Sequence, residues 1–358
     1  MFRLSINNSK KWMLVIAFII VLWIPTIDML VNFLPKTENT ENRKLAEKPE
    51  FTLGSTSEFQ KQYLSYFNDN FGLRNYLIKL NSLIKIVLFN ISPLENVIIG
   101  KNGWLFYREG IESYQGTDLF SEEELNKFKN NVVEEAKWLK NKGIFFLLVI
   151  CPDKQTVYPE YLPPSIKKIY QKTRFDQIMD LFKDTPNIKI LDLREVLIKN
   201  KPKYDLYYKT DTHWNNYGVA LAYEEISKII NQNFPKITPL KIPDIEFSKE
   251  ESNGKDLAMM ISIQDQMKDE FISMSVKDSF FSKKLPSLVF FHDSFGYDEY
   301  VPPVPAKLYQ LFMSHFEKIT PQYDEFDYKL VEKENPTVVV HEVLERYTWR
   351  LLKTKPVL

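Results

Sequence analysis

"IFFLLVI", residues 144–150, is apolar at every position. A strand with one wet face alternates apolar and polar side chains, so an unbroken run belongs to a strand covered on both faces. Similar short runs recur along the chain as "IKIL" (188–191), "SLVFF" (287–291) and "TVVV" (337–340). Helical patterns separate them. Ser121 opens one with the spacing of a capping box, Ser121 to Glu124, and Gly143 closes it. A Phe/Ile/Met/Leu pattern precedes "IKIL", and "YGVALAYEEISKII" is a further amphipathic stretch. Strands alternating with helices predict an α/β domain with a mainly parallel sheet. Such sheets bind ligands at the carboxyl ends of their strands, where "CPDK" (151–154) and "FHDSFG" (291–296) fall. "NVIIGKNGWLFYREG" predicts a hairpin at its Asn-Gly pair, and the turn-rich residues 231–286 predict an insertion over one sheet edge.

The 358 residues carry 47 Lys plus Arg and 47 Asp plus Glu, so net charge provides no footprint for nucleic acid. Hydrophobic residues at 44% and charged ones at 26% fit a folded, water-facing protein. Aromatics at 14% are mostly explained by core packing, with stacking surfaces for sugars as a second use. The one cysteine, Cys151, excludes an intrachain disulfide and a Cys-based zinc site. Placed after "FFLLVI", it reads as a buried thiol rather than a nucleophile. No GxGxxG or GxxxxGK[ST] loop is present, and no cofactor is expected.

The N-terminus carries the one membrane signal. "WMLVIAFIIVLWIPTIDMLVNFL", Trp12–Leu34, is about the ~20 residues that a bilayer-crossing helix needs. Arg3, Lys10 and Lys11 before it favour an inside N-terminus, and no small-residue cleavage site follows. The expected layout is a cytoplasmic 1–11, a transmembrane signal anchor 12–34, a polar tether 35–56 and an extracytoplasmic catalytic domain 57–358, with 57–95 as a helical lead-in.

Chemistry concentrates in "DTHWNNYG" (211–218) and "FHDSFG". A serine hydroxyl is nearly inert at neutral pH without a histidine to take its proton, and that histidine needs an acid to fix its tautomer. Ser294, His213 and Asp211 supply all three. The turn at Phe295-Gly296 would lift the hydroxyl to the sheet rim and offer backbone N–H groups to an oxyanion. Other readings stand beside this one: a segment, His213-Trp214 ahead of "NNYG", that merely caps the following helix, since Asp and Asn favour such positions, His292 as the base, or a metal held by Asp211, His213, His292 and Asp293.

Five fragments in order, "GKNGWLFYREG", "CPDKQTVYPEYLP", "DTHWNNYG", "FHDSFG" and "VVVHEVLER", with "ENRKLAEKP" ahead of them, resemble the AlgJ/AlgX/PatB group of SGNH-hydrolase-like polysaccharide O-acetyltransferases. The resemblance spans roughly residues 38–350. It implies a three-layer SGNH-like fold in permuted order, Asp-x-His before Ser, with Ser294 as nucleophile, His213 as base and Asp211 as orienting acid. It also implies a polysaccharide acceptor at the cell surface and an MBOAT-type membrane acyltransferase as acetyl supplier. Position 292 is His where the wider SGNH pattern has Gly. The oxyanion donors are not assigned beyond the backbone around Phe295. Lys154, Tyr158, Tyr300 and Arg346 are candidate rim residues for a sugar or acetyl group. An O-acetylesterase with the same triad, or a non-catalytic glycan-binding scaffold, are the alternatives.

Overall fold

The computed structural model describes residues 8–31, 33–35, 44–50, 56–185, 187–296, 307–323 and 325–353. They fall into two compact units, Met1–Leu94 with Ala258–Gln264, and Glu95–Leu257 with Asp265–Leu358.

The described residues of the first unit include the helices Asn8–Val31, Thr56–Asn70 and Arg74–Phe89. Lys11–Met29 is long and apolar enough to cross a membrane. Asp28, near its end, accepts hydrogen bonds from the backbone N–H groups of Leu34 at 3.1 Å and Leu73 at 3.1 Å. Farther along, Ala46 is fastened to the second helix. Its N–H donates to Asp69 Oδ2 at 2.9 Å, and its carbonyl accepts from Asn70 Nδ2 at 2.9 Å.

Among its described residues the second unit has nine strands. They are β1 (Val97–Ile99), β2 (Leu105–Tyr107), β3 (Phe145–Cys151), β4 (Lys189–Asp192), β5 (Ile245–Asn253), β6 (Lys268–Val276), β7 (Leu285–His292), β8 (Phe316–Tyr323) and β9 (Val338–Leu344). Five form one sheet in the order β4-β3-β9-β7-β8, parallel at every junction. β1 and β2 make the expected hairpin, turning through Asn102 (φ 55°) and Gly103 (φ 79°). β5 and β6 pair antiparallel over 245–276, inside the stretch expected to be an insertion.

The alternation of β3 explains the layering. Leu147, Val149 and Cys151 point to one core with Leu288, Phe290, Val338 and Val340. Phe146, Leu148 and Ile150 point to the other with Val289, Phe291 and Val339. Helices Asn216–Asn233 and Lys307–Phe312 cover the first face through Tyr223, Ile226, Leu311 and Phe312. Helices Glu122–Asn141 and Arg174–Phe182 cover the second through Phe128, Val132, Phe175 and Ile178. Each such side chain contributes roughly 1.5–3 kcal/mol by leaving water. The result is the expected three-layer α/β arrangement. Ser121 caps its helix as read from sequence, with both bonds of the capping box formed.

Candidate active site

Three carboxyl ends meet at one rim, those of β3, β9 and β7, which are neighbours in the sheet. β7 ends at His292, and the chain turns at once, with Gly296 N–H donating to the Asp293 carbonyl at 3.1 Å. Asp293 organises this turn. Its Oδ1 accepts from Phe295 N–H at 2.8 Å, and its Oδ2 accepts from Leu344 N–H, at the end of β9, at 2.8 Å. Its own N–H donates to Glu342 Oε2 at 3.1 Å. A Cβ on Gly296 would stand 2.8 Å from that Glu342 oxygen, so the tightness of the turn requires glycine. Ser294 is carried at its crest.

The other half comes from the segment entering helix Asn216–Asn233. Asn215 N–H donates to Leu206 O at 2.9 Å and Tyr208 N–H to His213 O at 3.3 Å, which pinches residues 207–213 into a loop. Asn215 caps the helix, its side chain accepting from Tyr217 and Gly218 N–H. The helix cap and the candidate acid and base, Asp211 and His213, therefore lie in one short segment.

The halves join through side chains. Ser294 Oγ lies 2.9 Å from His213 Nε2, across 81 residues of sequence. His213 Nδ1 lies 2.7 Å from Asp211 Oδ1, which also accepts His213 N–H at 2.9 Å. An acid on Nδ1 fixes the tautomer with its lone pair on Nε2, facing the hydroxyl. Trp214 Nε1–H donates to Phe295 O at 3.0 Å, and the Phe295 ring packs 5.1 Å from the imidazole. The junction is thus braced as well as bonded.

Residues 97–272 match the family model for the SGNH hydrolase-like domain of acetyltransferase AlgX. Over these residues the chain is similar to that domain. The match includes Asp211 and His213 and stops short of Ser294. Among curated proteins, "Probable alginate O-acetylase AlgJ" of Pseudomonas syringae pv. tomato is 24% identical over 175 residues, 48% of this chain and 42% of that one. The protein of the same name from Pseudomonas putida is 22% identical over 168 residues, 47% of this chain and 42% of that one. The chain thus spans 42% of the length of each of these relatives. Among solved structures, the O-acetyltransferase domain of Pseudomonas putida AlgJ has a TM-score of 0.49 at 18% identity, covering 73% of this chain and 94% of that one. Bacillus cereus PatB1 has a TM-score of 0.49 at 16% identity, covering 73% and 100%. The family expected from the ordered motifs is the one these comparisons return.

In the second unit the candidate rim residues that the structure describes turn out to be buried supports. Lys154 is 2% exposed. Its Nζ donates to three carbonyls, Leu105 at 2.6 Å, Lys209 at 2.8 Å and Asp211 at 2.9 Å. Three acceptors call for the three N–H donors of an ammonium. Burial pushes this group down to about 7, against the pull of Asp269, Asp211 and Asp256. Lys154 therefore holds the loop that bears Asp211. The Tyr158 ring packs tilted against Trp104, centroids 4.6 Å apart, and its hydroxyl accepts Leu206 N–H at 2.9 Å, at the base of the same loop. Arg346 pairs with the fully buried Asp153 and ties the end of β9 to the end of β3. Removing one partner of such a buried pair typically costs ~3–5 kcal/mol. Phe295 is buried, and its N–H is engaged by Asp293 rather than presented to an oxyanion. Tyr300 lies outside the described residues.

The loop has further supports that sequence reading missed. Thr210 N–H donates to Asp269 Oδ2 at 2.7 Å, and Thr212 N–H and Oγ1 donate to Asp256 at 2.9 and 2.8 Å. Burial first, and the Asp211 carboxylate second, push Asp256 well up. Nothing in the short-range pattern marks Asp256 or Asp269, which reach the site from 44 and 59 residues away. The metal reading meets a different set than expected. Among the described residues Asp211, His213 and Asp256 bring ligand atoms within 4.8 Å of one another, without His292 or Asp293. The Asp293 oxygens hold the serine turn instead, while His292 Nδ1 lies 3.0 Å from the Asp293 carbonyl. A cleft of about 650 Å³ opens beside the turn, lined by His292, Asp293, Phe326, Tyr328, Trp349 and Arg350 among others.

Proposed function

We propose that this chain is a membrane-anchored O-acetyltransferase, working outside the cytoplasm on hydroxyls of a polysaccharide through a Ser294–His213–Asp211 triad. The observation that carries the reading is the unbroken chain from Ser294 Oγ to His213 Nε2 at 2.9 Å and from His213 Nδ1 to Asp211 at 2.7 Å. The AlgX-type match supports the acetyl group as the cargo, and the curated relatives named alginate O-acetylases support a glycan acceptor.

The steps follow from the geometry. Ser294 Oγ attacks the carbonyl carbon of an acetyl ester while its proton passes to His213 Nε2. Asp211 stabilises the imidazolium through Nδ1–H. The imidazolium then protonates the departing alkoxide, leaving acetyl on Ser294. A sugar hydroxyl gives its proton to Nε2 and attacks that ester, and the same proton returns to Ser294 Oγ. Water competes for this second step, so the acceptor must be aligned. Well-oriented groups reach effective molarities of ~10⁵ M or more. The cleft beside the turn, with Trp349 and Tyr328 in its wall, offers the aromatic faces that sugars stack on. The family resemblance supplies the donor side, an MBOAT-type membrane acyltransferase that passes acetyl outward.

The deciding experiment gives the protein an acetyl donor ester with and without glycan oligomers. Acetylated oligomer, and faster donor consumption when oligomer is present, are expected. Free acetate alone, across oligomers of every cell-wall and exopolysaccharide class tried, would assign the site to an esterase.

A further inference from the structure

The helix Arg74–Phe89 is turned inside out for a water-soluble element. Leu77, Leu80, Ile84, Val87 and Leu88 recur at spacings of three and four, which is one face of a helix. That face is exposed, with Leu80 at 52% and Val87 at 73%, while the buried position of the helix is Ser82. The charge pattern is equally one-sided. "RNYLIKLNSLIKIVLF" holds Arg74, Lys79 and Lys85 and no acidic residue. An apolar stripe on a helix whose only charges are basic fits the surface of an anionic bilayer, with acyl chains below and phosphate above.

The first unit also fixes where this helix starts. Leu73 N–H donates to Asp28 Oδ2 at 3.1 Å, and a Cβ on Gly72 would stand 2.1 Å from Pro25 O. The entry of the helix is therefore in backbone contact with the far end of Lys11–Met29, the segment able to cross a membrane. Lipid is the surface that a chain leaving such a span meets first.

We propose that the helix Arg74–Phe89 lies in the extracytoplasmic interface of the bilayer, its Leu77–Leu88 stripe against the acyl boundary and its cations toward anionic headgroups. The inference rests on Lys11–Met29 being the membrane span. Long basic side chains at the edge of such a stripe bury their methylenes and keep their charge among the headgroups. The domain would then be held near the membrane by two elements, a span and a float.

The test uses the full chain reconstituted in vesicles of phosphatidylcholine and phosphatidylglycerol. Ile84→Cys, Val87→Cys and, within the span, Ile19→Cys each receive an environment-sensitive fluorophore. Cys151 is fully buried and its thiol is pushed well up by burial, so the unsubstituted chain provides a low background. Nitroxide-bearing phospholipid is expected to quench the label at all three positions. Quenching at 84 and 87 is expected to fall when phosphatidylglycerol is replaced by phosphatidylcholine. Quenching at 19 but not at 84 and 87 overturns the docking while leaving the span intact. Loss of quenching at all three means that the span reading itself has failed. Label self-quenching at 84 and 87 that grows with protein-to-lipid ratio gives the face to a second copy of the chain, and indifference to lipid charge removes the role assigned to the cations.

Discussion

Ser294 is one hydroxyl in a neutral, acid-and-base-balanced chain, and its reactivity depends on what stands within 3 Å. Ser294→Ala and His213→Ala are expected to abolish turnover of a small acetyl ester, and Asp211→Asn to lower it by ~10⁴-fold, since the amide leaves the imidazolium unsupported. Circular dichroism should show all three variants folded, which separates lost chemistry from lost structure. Glu345 offers a second prediction. Its Oε2 accepts Asp153 N–H at 2.9 Å and Thr156 Oγ1–H at 2.7 Å. Burial, then the Asp153 carboxylate, pushes it up to about 7 from an ordinary value of 4.5. The native state therefore keeps a proton that the unfolded chain gives up. The resulting stability is fully present below pH 4.5 and is lost as pH rises toward 7. Urea titrations across that window should show the decline, and Glu345→Gln should flatten it. Of the candidate site residues, the proposed trio was legible in the sequence because Asp211, His213 and Ser294 lie in two short motifs. The supports were not. Lys154, Tyr158 and Arg346 look from sequence like surface groups that greet a substrate, whereas each spends its polar atoms on the interior.

At the scale of elements, the loop before Asn216 is packed closely against its helix. A Cβ on Gly218 would lie 2.5 Å from Leu206 O, the same carbonyl that accepts Asn215 N–H. Gly218→Ala must push helix Asn216–Asn233 away from that carbonyl, and the 207–213 loop moves with it. We expect loss of most esterase activity with the central sheet still formed, and a larger loss of stability than from Asn215→Ala, where a lost cap costs about 1 kcal/mol. Chemical denaturation of the two variants side by side provides the comparison. The elements that sequence reading found are those with an unambiguous period: β3, β4, β7, β9 and the capped helix from Glu122. β8, "FEKITPQY", escaped it because an edge strand is half exposed and tolerates Pro321. β5 and β6 escaped because charge covers their wet face. Nine residues of β5 include Lys249, Glu250 and Glu251 in succession, which look like loop until the partner strand is known.

At the scale of the whole molecule, the membrane reading predicts that the protein stays in the membrane fraction at full length, and that protease added outside intact spheroplasts digests most of it. A shortened soluble form would remove the anchor. The sheet order carries a consequence for biogenesis. β9, Val338–Leu344, is the strand between β3 and β7, and it is the last to be made. Emerging amino end first, the nascent polypeptide presents His213 and Ser294 before β9, the strand that joins β3 to β7. Until then β3 and β7 are two unjoined sheet edges, the state in which parallel sheets are slow to close and prone to mispair. A stop codon after Lys333 should therefore yield a membrane-held chain containing Asp211, His213 and Ser294 that turns over no acetyl ester and is cleared by proteases. On the proposed reading, activity would be withheld until the sheet can close, a delay set by strand order with no separate inhibitor.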